Sequence, residues 1–180
     1  MLDTLITSKT RIKLLLKFFL NSNSRSYLRN LESEFGESTN SIRLELNKFE
    51  EAGLLTSEYD GNKKYFRANT KHPLFSDIHN ILLKQIGFDK IIETVIQKLG
   101  NLDRVYVSGD FAKGKNNTII DLIFVSEDLN REYLLKLIGK AEDVIKRKIR
   151  YLVFNKDEFD VFVKDIDKSE LLLLWKSEDL

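Results

Sequence analysis

Apolar positions near the N-terminus repeat with the period of an α-helix. Apolar side chains recur at every third or fourth residue in three successive stretches, 8–20, 26–35 and 38–52. Ser8 and Ser38 stand where hydroxyl side chains cap helix N-termini, and glycines follow the second and third stretches. Three short helices are therefore predicted, with a glycine-containing turn between the last two. This order is typical of a helix-turn-helix.

The hydrophobic period changes to that of a β-strand directly after the third helix. Leu54–Tyr59 and Lys63–Ala68 flank the sequence Asp60-Gly61-Asn62. An Asp-Gly turn between two alternating segments is a strong hairpin signal, because glycine adopts the positive φ that such turns need. A helix-turn-helix followed by a basic hairpin is the winged variant of this unit, and we predict it for residues 1–72.

The rest of the chain alternates between helical and strand patterns. The dipeptide His72-Pro73 marks the predicted end of the first domain, because proline disrupts both helices and ladders. Connecting helices are expected over 73–100, with a break at Gly87, and a small α/β domain with a mixed sheet over 101–180. The predicted elements of that domain are strands at 105–107, 119–125 and 149–154, and helices at 131–148, 156–164 and 167–175. The fold class is thus α+β.

The amino-acid composition excludes several kinds of catalytic and metal site. The 180 residues contain no Cys and two His, which excludes disulfides, thiolate catalysis and a histidine-rich metal cage. The net charge is +1, but residues 1–72 hold 12 basic and nine acidic groups, so the front of the chain is mildly cationic. No apolar run approaches the roughly 18 to 20 residues of a membrane helix. We expect a cytoplasmic protein without membrane contact.

The third predicted helix carries the first family resemblance. The stretch STNSIRLELNKFEEAGLL, residues 38–55, resembles the recognition helix of arsenic-repressor-like winged-helix regulators. The resemblance implies binding to double-stranded DNA, most simply as a homodimer. The candidate DNA-binding residues are polar or basic positions on this helix and on the hairpin, namely Ser38, Thr39, Asn40, Ser41, Arg43, Lys63, Lys64 and Arg67. Acidic neighbours such as Glu45 and Glu50 make this unit less basic than a strong DNA binder. The alternative that it is a module for protein interaction or packing therefore stays open.

The α/β part carries a second resemblance. The stretch VYVSGDFAKGKNNTIIDLIFV, residues 105–125, resembles the minimal nucleotidyltransferases of the DNA polymerase β superfamily, whose motif is Gly-Ser, a short turn and Asp-x-Asp. From His72 to Phe159 the chain also looks like proteins that fuse an arsenic-repressor-like winged helix to that domain. This resemblance implies a site in which carboxylates hold divalent ions, and these ions neutralise the charge of a nucleoside triphosphate.

Several positions depart from that motif. Gly109, Lys113 in the following turn, and Asp121 match it, but Asp110 replaces the serine and Ile119 replaces the first aspartate. The strand expected to supply a third carboxylate offers Arg150 instead. Too few oxygen ligands remain for Mg²⁺, so no metal or cofactor is expected. Two alternatives stay open for Asp110: a one-metal magnesium site shared with Asp121, or a cap on the helix that begins near Phe111.

These patterns favour a transcriptional regulator. In this hypothesis the winged helix binds duplex DNA, and a nucleotidyltransferase-like domain without catalytic competence serves as a scaffold, a dimerisation surface or a ligand sensor, with a nucleotide as a candidate ligand. Gly109, Asp110, Lys113 and Asp121 are then vestigial residues. One alternative is an active metal-dependent nucleotidyltransferase, and the other is a protein-interaction module.

Overall fold

The computed structural model describes residues 2–177, without the side chains of Asp3 and Lys168. The chain forms two compact units, Met1–Leu82 and Leu83–Leu180, and the boundary falls inside one helix. Both units combine helices with a sheet, which confirms the predicted α+β class. Within the described residues, no helix combines the length and the apolar character needed to cross a membrane.

The first unit is built on helices that pack around an apolar core. These helices are α1 (Leu2–Leu5), α2 (Lys9–Leu15), α3 (Leu28–Phe35), α4 (Thr39–Glu51) and α5 (Phe75–Ile86), the last of which crosses the boundary. Helix α2 continues into a π-helical turn, Leu16–Leu20. Its N-terminus is capped by Ser8, whose side chain accepts from the Arg11 N–H. Phe18, Phe19 and Leu31 are fully buried in the core.

A sheet of three strands completes this unit. Strands β1 (Ser26–Tyr27), β2 (Leu55–Asp60) and β3 (Lys63–Ala68) pair antiparallel in the order β1-β3-β2. The β2–β3 turn places Asp60 opposite Lys63, and Gly61 adopts a φ of 56°. The predicted helix 26–35 starts two residues later, because Ser26 and Tyr27 pair with β3. Helices α2, α3 and α4 together with the β2–β3 hairpin form a winged helix-turn-helix, as predicted.

The second unit contains a mixed sheet. Its helices are α6 (Phe88–Ile91), α7 (Gln97–Leu99), α8 (Gly109–Ala112), α9 (Arg131–Ile145) and α10 (Lys156–Phe162), and a π-helical turn, Ile92–Ile96, joins α6 to α7. The strands are β4 (Arg104–Ser108), β5 (Ile119–Val125), β6 (Lys148–Phe154) and β7 (Leu172–Lys176), in the order β6-β5-β4-β7. Strands β5 and β6 are parallel, and the other pairs are antiparallel.

Side chains of β5 alternate between the two faces of this sheet. Ile123 and Val125 pack with Phe159 of α10 on one face. Ile120, Leu122 and Phe124 point to the other face and are buried. Asp121 shares its face with Ile123, so the candidate carboxylate lies on the α10 side of the sheet.

One predicted helix is wrong. Residues 167–175 form a short 3₁₀ turn, Lys168–Glu170, followed by β7. Leu172 and Leu173 pair with Val107 and Tyr106 of β4. A short run of leucines fits a strand and a helix equally well, and here the free edge of β4 decides the outcome. The predicted break at Gly87 is confirmed, since this residue has a φ of 96° between α5 and α6.

Candidate functional sites

Helix α4 separates an apolar face from a polar one. Ile42, Leu46 and Phe49 are buried, whereas Asn40 and Arg43 are exposed. The Ser38 side chain accepts from the Ser41 N–H at 3.2 Å and fixes the start of the helix. Ser38 therefore caps α4, and Arg43 lies in the second turn of this helix.

Thr39 and Ser41 are less accessible than the helical wheel predicts. Both are half-buried, and the Ser41 hydroxyl lies 3.1 Å from the hydroxyl of Thr10 on α2. Ser41 therefore faces the neighbouring helix. Ser38, Asn40 and Arg43 are exposed, and since Ser38 caps the helix, Asn40 and Arg43 are the predicted residues of α4 that are available to a partner.

A cleft of about 700 Å³ lies between α4, α3 and the hairpin. The predicted residues Arg43, Lys63 and Lys64 line it. Sequence reasoning missed other lining residues, among them Tyr27, Arg29 and Asn47. The Lys63 ammonium lies 4.7 Å from the centre of the Tyr27 ring. Asn47 could have been found, because it follows Asn40 and Arg43 at helical spacing. Tyr27 reaches the cleft because β1 pairs with β3, and Arg29 follows two residues later on α3.

Of the four described cations that line this cleft, three are unpaired. Arg29, Arg43 and Lys63 form no ion pair with any side chain that the structure describes. The two other predicted hairpin cations differ. Lys64 contacts Glu50 at 2.7 Å, and Arg67 contacts Glu58 at 3.2 Å. The hydrogen bond from Lys64, with a second from Ser57, holds the pKa of Glu50 below its ordinary value.

The candidate site of the second unit centres on Asp121. The parallel register of β5 and β6 places Arg150 beside Asp121. The Arg150 guanidinium donates from Nε to Oδ1 at 2.7 Å and from Nη2 to Oδ2 at 3.0 Å. Both carboxylate oxygens thus accept from one guanidinium, in the bidentate geometry that is the strongest form of this pair.

The Gly109 turn closes over the same carboxylate. Gly109 has a φ of +66°, and a Cβ at this position would lie 2.7 Å from Asp121 Oδ2. Asp110 Oδ2 accepts from the Asn117 amide at 2.6 Å. The N-cap residue of α8 is Ser108, so the alternative in which Asp110 caps this helix is wrong. Asp110 lies inside the first turn of the helix, one residue beyond its first position.

The residues here do not fit the magnesium ions that the family resemblance implies. Asp121 is paired to Arg150, Asp110 is bonded to Asn117, and Ile119 offers no oxygen. Lys113, the remaining predicted residue, contacts Glu170 at 2.8 Å. Across residues 2–177, no three His, Cys, Asp or Glu side chains lie close enough to hold a metal. Arg150 occupies the position at which Mg²⁺ would need an oxygen ligand.

Comparisons with known proteins add the following findings. No protein-family model matches the sequence, and no curated protein is significantly similar. A toxin-antitoxin crystal structure with AMP-PNP is 17% identical over 51% of this chain and 75% of that chain, with a TM-score of 0.40. A Sulfolobus solfataricus protein described as a nucleotidyltransferase is 26% identical over 54% and 84%, with a TM-score of 0.38.

A third similar structure is a protein described as a transcriptional regulator for arsenical resistance. It is 25% identical, covers 46% of this chain and 78% of that chain, and has a TM-score of 0.29. Because all three TM-scores lie below 0.5, the functional assignment depends on the geometry of the two sites.

Proposed function

We propose that this protein is a transcriptional regulator that binds double-stranded DNA through the winged helix. The observation that carries the proposal is the cleft in which Arg43, Arg29 and Lys63 form no ion pair with any described residue. Phosphate binding releases condensed counterions only when the protein cations are free to replace them. Helix α4 would lie in the major groove, with Asn40, Arg43 and Asn47 at base edges.

The hairpin supplies the second part of this interaction. Lys63 at its tip would contact flanking phosphate, which adds affinity without sequence information. Lys64 and Arg67 contribute less, because each is already paired to a glutamate of the same unit. We further propose that the regulator acts in the cytoplasm as a homodimer on a two-fold site, since a single winged helix covers only a half-site.

The second unit has a non-catalytic role in this proposal. The Asp121–Arg150 pair and the Asp110–Asn117 hydrogen bond occupy the carboxylates that phosphoryl transfer would need. We therefore assign to this unit the function of a scaffold, a dimerisation surface or a nucleotide sensor, and no transferase activity.

The test is a selection of duplexes from host genomic DNA at low salt, followed by fluorescence anisotropy with the full chain. Arg43→Ala should weaken the selected complex by about 5- to 150-fold, the equivalent of ~1–3 kcal/mol for a base-edge arginine. Lys71→Ala is the matched control, because Lys71 is exposed in the same unit but lies outside the cleft. Equal affinity of both variants, or no duplex bound above the non-specific level, would contradict the proposal.

A transfer assay separates this proposal from the enzyme alternative. The protein is incubated with labelled nucleoside triphosphates, magnesium and candidate protein acceptors. We expect no label transfer. Transfer that disappears in Asp121→Ala would show that the second unit is an active nucleotidyltransferase.

A further inference from the structure

A second cavity in the first unit lies apart from the DNA-binding cleft. It measures about 410 Å³ and lies between α1, α2, α4 and α5. Leu15, Phe49, Ile78 and Leu82 contribute to walls that are almost entirely apolar. Its volume lies within the roughly 300 to 1,000 Å³ typical of small-molecule sites, and its apolar walls offer water few hydrogen-bond partners. An apolar group is therefore the expected occupant.

Among the described side chains, the rim of this cavity carries a net positive charge. The two described cations that line it are Arg11 and Lys48, and both contact the same carboxylate, that of Glu45. Arg11 donates to both Glu45 oxygens, at 2.9 and 3.2 Å, whereas the Lys48 ammonium lies 3.8 Å away. Burial raises the pKa of Glu45, but the hydrogen bond and charge of Arg11 outweigh it, so the pKa falls below its ordinary value. One ionised carboxylate thus faces two cations.

We propose that this cavity binds a small amphipathic carboxylate, with its alkyl chain among the apolar walls and its head group at Lys48. Lys48 is the better partner, because its side chain is 59% exposed and its contact with Glu45 is long. A neutral alkyl compound would gain the same apolar contacts but would lack the attraction at the rim.

The position of the cavity also suggests a regulatory consequence, which rests on the proposed function. Lys48 and Phe49 belong to α4, the helix that presents Arg43 to the DNA-binding cleft. A ligand packed against Phe49 changes the surroundings of α4 on its buried side. Duplex affinity should then differ between the free and the ligand-bound protein, as linkage requires when a ligand prefers one state.

Calorimetric titration of the full chain with decanoate, without DNA, tests the binding site. We expect saturable one-to-one binding that weakens about fourfold for each methylene removed in octanoate and hexanoate, from ~0.8 kcal/mol per buried methylene. Lys48→Gln should weaken decanoate binding severalfold but leave 1-decanol binding unchanged. Lys71→Gln, an exposed lysine outside the cavity, is the charge control.

A second pair of variants tests the place of binding. Ile81 lines the cavity and is 45% exposed, so Ile81→Glu should fold and repel the carboxylate. Leu74→Glu is the matched control, because Leu74 is 53% exposed and does not line the cavity. Equal decanoate affinity in these two variants would overturn the proposal.

Two further outcomes would also overturn it. One is the absence of saturable binding of any of the three carboxylates. The other is a concentration-dependent dimer that Ile81→Glu abolishes while the wild type binds no decanoate, because a second copy of the chain would then cover the cavity. Since none of these measurements uses DNA, failure of the ligand site is distinguishable from failure of duplex binding.

Discussion

The two candidate sites differ in whether their charged side chains form ion pairs. In the cleft between α3, α4 and the hairpin, Arg43 and Lys63 face solvent and form no ion pair with any described side chain. In the Asp121 site, Asp121 and Lys113 each have an oppositely charged partner within the same unit. Arg150 holds Asp121 through two hydrogen bonds, and Lys113 contacts Glu170. The first arrangement leaves charge for a partner, and the second leaves almost none.

This contrast explains why the Asp121 site does not fit a metal ion. A metal-binding strand needs carboxylates that no protein cation neutralises, because a divalent ion must displace whatever already occupies their oxygens. Arg150 on the adjacent strand is sufficient to occupy both oxygens of Asp121, because the parallel register of β5 and β6 places it beside that residue. Of the two sites, the cleft of the winged unit is the one whose cations remain available to a ligand.

The largest expected effect comes from Gly109. Gly109→Ala places a methyl group 2.7 Å from Asp121 Oδ2 at a φ of +66°, so it combines backbone strain with a clash. The free energy of unfolding should fall by about 1–3 kcal/mol. Urea denaturation measures it, and the same substitution in an Asp121→Ala background is the control. If the cost does not decrease there, the turn is not packed against the Asp121 carboxylate.

Charge reversal at Arg150 tests whether this arginine keeps metal ions out of the Asp121 site. Arg150→Asp removes the guanidinium and places a second carboxylate beside Asp121. Mn²⁺ affinity, measured from the free-ion signal in electron paramagnetic resonance, should rise from undetectable to about millimolar. Arg147→Asp is the comparison variant, because Arg147 faces the Phe111 ring and the Asn117 carbonyl. Mn²⁺ binding by the wild-type protein would contradict the contrast between the two sites.

Local signals made the winged unit predictable from sequence. Ser38 caps α4, and the Asp60-Gly61 turn sets the hairpin, so both elements depend on residues only a few positions apart. Strand β7 was not predictable in this way. Its run of leucines becomes a strand because β4 offers an open edge about 65 residues earlier in the chain.

The candidate sites were predictable only in part, for a related reason. Arg150 could be placed on a neighbouring strand, but its bidentate contact with Asp121 depends on a parallel register that no short motif encodes. The pairing of Lys64 with Glu50 likewise depends on how α4 packs against the hairpin. Sequence indicates which residues are charged, whereas tertiary packing decides which charges remain free.

The two neighbouring hairpin lysines provide an internal test of this point. Lys63 forms no ion pair with the described residues, whereas Lys64 contacts Glu50 at 2.7 Å. Lys63→Ala should reduce the slope of log affinity against log salt by about one, because one phosphate contact is lost. Lys64→Ala should reduce it much less. Duplex titrations over roughly 50 to 200 mM salt measure both slopes. Equal reductions would show that the Glu50 pair does not withhold Lys64 from DNA.

The smallest expected effect concerns the acid stability of that same pair. The hydrogen bonds from Lys64 and Ser57 hold the folded-state pKa of Glu50 below its ordinary 4.5. A carboxyl with a lowered pKa stabilises the fold above pH 4.5, and this contribution is lost as the pH falls through the lowered value. Between neutral and acid pH, the free energy of unfolding should therefore fall less in Glu50→Gln than in the wild type. The difference between the two falls should be less than about 1 kcal/mol, because the pair is partly exposed.

Urea denaturation across this pH range, with Glu51→Gln as the control, measures the difference. Glu51 is exposed and forms no ion pair with residues 2–177, so its substitution should leave the acid dependence close to that of the wild type. Identical pH dependence of the Glu50→Gln variant and the wild type would show that Lys64 is free in solution. Lys64 would then belong with Lys63 among the cations available to DNA, and the cleft would carry one more phosphate contact than the ion pairs of this fold allow.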